Sequence, residues 1–225
     1  MVSGVRGGDV LPAAQVRDPG RGRRVRAAVL VCAGSVAWAA VAGVTSLIVG
    51  AVTGSLALLA FGLSSVIDGS ASVVLVWRFR RELRGAGRDS RGLARVERLA
   101  TRAVAGAMLV SAAYVAVQAA RSLLARDSPE QSAMGVVLLA GSLLLLPPIG
   151  FVKLRLSRRL RSSALRGDGV LSLVGGALAV TALLGLAANE ELGWWWTDST
   201  AALLIALFLV REGRHTLSAS RGAAE

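Results

Sequence analysis

SLALLAFGLSSVIDGSASVVLVWRFR, residues 55–80, is the stretch on which the fold of this chain turns. From Ser55 to Trp77 it is long enough to cross a bilayer, and it carries one ionisable side chain, Asp68. The next in sequence is Arg78. At a rise of about 1.5 Å per residue, Asp68 lies roughly 15 Å inside the membrane edge, close to the midplane. A carboxylate at that depth costs on the order of 3 kcal/mol on insertion scales. Residues kept at such a cost mark ion or proton paths, which is the functional expectation for Asp68.

Working outward, five further apolar blocks follow the same logic: Ala27–Gly50, Ala103–Ala120, Met134–Val152, Gly169–Ala188 and Thr200–Val210. The last is short, and reaches spanning length by borrowing Gly193–Ser199. With 54% hydrophobic residues and a mean hydropathy of +0.59, the 225-residue chain is too apolar for an ordinary soluble domain. The expected fold is an all-α membrane protein with six transmembrane helices.

The formal charge is +12, and its distribution matters more than its size. In a six-helix topology every basic residue except Arg121 and Arg126 falls on one side, in the first 26 residues, in 78–102, in 153–166 and after Val210. The positive-inside rule then places both termini in the cytoplasm. The basic excess thus reads as topology, with anionic lipid contact second and no nucleic acid partner. Residues 1–26 are expected to form a disordered basic tail, 27–212 the transmembrane domain and 213–225 a short cytoplasmic tail. No cleavable signal is expected, since the first apolar block continues into a helical hairpin. Cys32 is alone, so disulfides and cysteine-based zinc sites are excluded.

Smaller signals punctuate the chain. Pro147–Pro148 is expected to break or kink the end of the fourth helix. In the acidic segment Asn189–Ser199 the three Trp residues are expected as interfacial anchors, and Asp198, Ser199 and Thr200 as caps of the sixth helix. No phosphate-binding glycine loop, nucleophile–base pair or zinc protease motif is present, so enzyme catalysis has no support.

Ser64, Asp68 and Ser72 are spaced i, i+4, i+8 and share one helix face. Oxygen ligands one turn apart can share a cation; equally, such a stripe can bind helices together. Aligned by basic flanks, Asp168 lies roughly 12 Å nearer the cytoplasm than Asp68, as a helix-terminal charge or a partner of Arg166. Gly175 and Gly176 fall at the depth of Asp68, with Ser172 between the two levels. Tyr114 and Gln118, one turn apart, either line a pore or pack. His215 is expected on the surface without a role.

Residues 53–80 resemble the second helix of the cation diffusion facilitator, or cation efflux, family. SSALRGDGVLSLVGGALAVTALLGLAAN and GWWWTDSTAALLIALFLVREG are similar to that family's fifth and sixth helices. The resemblance covers most of residues 27–214 and implies a dimeric antiporter of the cell inner membrane. Such a protein exports a divalent metal ion, commonly zinc, cobalt, cadmium, manganese or iron, against protons. It also implies a transport site made by an acid or His four residues before an Asp on helix 2, and a similar pair on helix 5. Carried over, Asp68 matches the second helix 2 ligand and Ser64 stands at the first. On helix 5 the pair is either Asp168 with Ser172 or Ser172 with Gly176. Ser oxygen is a poor zinc ligand and suits harder cations. The expected function is therefore cation:proton antiport, with a metal site of Asp68, Ser64, Asp168 and Ser172. A transport-inactive membrane scaffold or subunit partner on the same fold is the alternative.

Overall fold

A computed structural model describes residues 20–53, 56–84, 90–126 and 133–222. Six α-helices account for nearly all of them: α1 Arg21–Thr53, α2 Leu56–Leu83, α3 Ser90–Ala125, α4 Ala133–Leu160, α5 Ser163–Leu192 and α6 Thr197–Gly222. The first five are long and apolar enough to cross a membrane. Their outward faces carry large apolar side chains, among them Leu30, Ile48, Val117, Leu144 and Leu184, at depths where lipid replaces water as solvent. The chain is an all-α, multi-pass membrane protein. α6 is more polar, because its last turns carry Arg211, Glu212, Arg214 and His215. The expected tail disorder falls largely on residues 1–19, outside the described residues.

α1 packs along α2, α4 along α5, and α3 along α6. α1 also touches α4 and α2 touches α5, so these four helices form the centre, with α3 against both α2 and α5. Small residues allow the close approaches. A Cβ on Gly62 would lie 2.7 Å from Leu47 Cγ, and one on Gly176 would lie 2.7 Å from Pro147 Cγ. In lipid such contacts replace the hydrophobic drive that holds helices together in water.

That Gly176–Pro147 contact bears on the proline pair. α4 does not break at Pro147–Pro148 but runs on to Leu160 with both prolines inside it. Where neighbouring helices pack closely, a membrane helix tolerates the donor a proline lacks. A second difference lies at the start of α6. Its first residue is Thr197, so Asp198, Ser199 and Thr200 sit inside the first turn and do not precede it. Thr200 Oγ1 donates instead to the carbonyl of Trp196 at 2.8 Å.

The two ends of the bundle differ. Toward the end that carries the Arg-rich segments, Val25, Cys32, Leu75, Phe79, Val104, Met108, Leu165, Leu171 and Leu209 form one buried core. Buried ion pairing reinforces it. Arg78 pairs with Glu97 and, at 3.6 Å, with Glu82. Glu97 Oε1 also accepts from Ser162 Oγ at 2.8 Å and from the Ala164 amide at 3.3 Å, at the first turn of α5. A carboxylate there complements the helix dipole. Toward the other end the helices part around a cavity.

Gly176→Leu should force α5 away from α4 and lower stability by about 1–3 kcal/mol, the usual cost of overpacking. Thermal melting of the detergent-solubilised protein would check this, with Gly106→Leu, where a Cβ meets nothing within 4 Å, as the tolerated comparison.

Candidate functional site: a charged cavity floor

The cavity holds about 960 Å³ and is lined by all six helices. Its wall runs from Arg121, Ser122 and Asp198 at one end, past Tyr114, Gln118 and Trp38, to Ser72 and Asp168 at the other. Beyond Asp168 the core closes the bundle. Asp68 and Ser64, one turn apart on α2, both line the cavity. Asp68 Oδ1 accepts a 2.6 Å hydrogen bond from Ser111 Oγ of α3, which fixes the carboxylate against that helix. On α5, Gly175 faces this carboxylate and also lets Leu146 of α4 come close: a Cβ there would stand 4.0 Å from Asp68 Oδ2 but only 2.9 Å from Leu146 Cδ1. Tyr114 also faces the cavity, and its hydroxyl donates to the Ala60 carbonyl at 2.9 Å.

Asp168 does not have the surroundings that the basic flanks suggested. It is 1% exposed and is not the partner of Arg166, which pairs with Glu212 at 2.6 Å. Ser72 Oγ donates to Asp168 Oδ1 at 2.8 Å, so the Asp168 carboxylate reaches α2 one helical turn from Asp68. α5 starts earlier than its apolar run. With Ser162 as N-cap, accepting from the Leu165 amide at 3.1 Å, its first turn is already inside the bundle. Ser172 is buried one turn on and donates to the carbonyl of Asp168 at 3.1 Å.

The partner of Asp168 is Lys153 of α4, whose side chain is fully buried. Lys153 Nζ lies 2.7 Å from Asp168 Oδ2 and donates at 3.0 Å to both Ser72 Oγ and Ser172 Oγ. An ammonium has three donors, and here they meet three acceptors from α2 and α5. Cys32 Sγ of α1 donates to Asp168 Oδ2 at 3.8 Å and completes the shell. Among basic flanking residues Lys153 reads as one more topogenic charge, and so its role is missed. One signal was available: it is the only lysine of the chain, where the other strongly basic residues are Arg. A compact ammonium fits a closed nest of oxygens that a planar guanidinium does not.

Asp68, Ser64, Asp168 and Ser172 thus all line one cavity, but they do not form one ligand set. Asp168 and Ser172 are engaged by Lys153, while Asp68 and Ser64 stand toward the cavity's wider part. Among the described residues no three His, Cys, Asp or Glu side chains group as a metal ion would need. His215 is exposed on α6, away from the cavity lining.

Comparison with known proteins agrees with this architecture. The family model of the cation efflux transmembrane domain matches residues 33–222. A protein of Synechocystis sp. described as an uncharacterized transporter is 26% identical over 170 residues, covering 74% of this chain and 54% of the relative. The chain therefore spans about half the length of that relative.

Breaking the buried pair on one side leaves an uncompensated charge. Asp168→Asn should destabilise by about 3–5 kcal/mol, whereas replacing both partners, Lys153→Met with Asp168→Leu, should cost much less. A double-mutant cycle on thermal unfolding in detergent would measure the coupling.

Proposed function

This chain belongs to the cation efflux transmembrane domain family, and from that premise we propose that it moves a divalent metal cation across the cytoplasmic membrane in exchange for protons. The observation that carries the reading is the cavity that reaches Asp68 from one end of a bundle whose other end is packed shut. An ion can enter such a cavity without crossing the protein, and a carboxylate near its floor offers it charge. Asp68 binds the metal and the proton in turn, and Ser64, one turn toward the cavity mouth, adds a weak oxygen ligand. Asp168 and Ser172 form the floor of the site. α6 makes the sixth crossing, both termini lie in the cytoplasm, and the cavity then faces outward. The protein works as a homodimer of the inner membrane and carries zinc, cobalt, manganese or iron.

One observation favours the other reading, a transport-inactive scaffold on the same fold. The oxygens of Asp168, Ser72 and Ser172 at the cavity floor are already engaged by an ammonium that ties α2, α4 and α5 together.

Proteoliposomes with an imposed proton gradient separate the two. Gradient-dependent uptake of one of these metals by the wild type, reduced at least about tenfold by Asp68→Asn, is the expected result. A folded wild type that takes up none of the four metals would leave the scaffold reading in its place.

A further inference from the structure

We infer that Lys153 is a tethered cation: its ammonium fills one of two cation positions, the one at the cavity floor, and thereby limits the protein to a single exchangeable ion, held at Asp68. The inference rests on the reading of the cavity as a cation path. It comes from the nest around Nζ, which is built from the oxygens a hard cation would take. One carboxylate oxygen, Asp168 Oδ2, stands at 2.7 Å, and two hydroxyl oxygens, Ser72 and Ser172, stand at 3.0 Å. The hydroxyl protons point away from Nζ. Ser72 donates to Asp168 Oδ1 and Ser172 donates to the Asp168 carbonyl, so each turns a lone pair toward the ammonium.

Charge gives the consequence. Lys153 and Asp168 cancel, so the floor of the cavity offers an incoming ion no net attraction, and Asp68 holds it alone. Two carboxylates lining one cavity would otherwise attract cations jointly, and repel each other when empty. The tethered ammonium removes that repulsion permanently. It also explains the absence of a group of three acidic, His or Cys side chains among the described residues. One of the two positions needs no exchangeable ligand set, because its cation is covalently attached to α4.

Cobalt(II) titrated into the purified full-length protein in lipid nanodiscs tests this, with stoichiometry read by isothermal calorimetry. The wild type should bind at most one Co2+ per chain. Lys153→Ala, which vacates the nest and restores the charge of Asp168, should bind one more, at least about tenfold tighter than the wild-type ion. Lys153→Ala combined with Asp168→Asn should return to the wild-type count. Two ions per wild-type chain would overturn the inference without reference to any variant, and so decides the matter if Lys153→Ala does not fold. A folded Lys153→Ala protein with the wild-type count would overturn it as well. If the wild type binds none and Lys153→Ala binds one, the tethered cation stands and the assignment of Asp68 falls.

Discussion

Two opposite charges in a medium that tolerates neither alone organise this bundle. Lys153 and Asp168 are 0% and 1% exposed, on adjacent helices at the floor of the cavity. Desolvating each ion costs several kcal/mol, which their attraction offsets only when the remaining donors and acceptors are also satisfied. Ser72 and Ser172 meet that condition, and in doing so they bind α2, α4 and α5 at one level. The positions of those three helices, and with them the depth of Asp68, follow from a network in which every member needs the others.

Above that level the packing changes character. The apolar core ends near Leu171 and Val174, and small residues such as Gly175 replace large ones around Asp68. Ser111 then holds the Asp68 carboxylate to α3. The cavity is thus not a packing defect in a uniform bundle. It lies where the polar layer hands over from a tightly paired charge to a carboxylate that borders open volume.

Much of this architecture could be read from hydropathy alone. Blocks of apolar residues separated by Arg-rich segments give the helices, since each must satisfy its own backbone in lipid. The i, i+4, i+8 spacing put Ser64, Asp68 and Ser72 on one face, and all three line the cavity. The depth of Gly175 opposite Asp68 was also accessible from helix rise. What escaped was the inner half of the site. Lys153 sits at the boundary of a run of basic residues, where a charge in the bundle and a charge in the cytoplasm look alike in one dimension. Only the tertiary pairing of α4 with α5 tells them apart. The partner of Asp168 was missed for a related reason: Arg166 is its neighbour in sequence, but it pairs with Glu212, and Lys153 is brought to Asp168 only by the fold.

Glu97 has a bearing on motion. This one carboxylate holds Arg78 of α2 and the first turn of α5, through Ser162 and Ala164, so the two helices that carry Asp68 and Asp168 are pinned to α3 at the same end. From Arg78 to Leu58, α2 extends about 30 Å beyond that pin. The clamp is therefore a fulcrum with a long arm. Any tilt between α2 and α5 leaves the ion pairs at the pivot almost unmoved, while its displacement grows steadily toward the cavity's wide end.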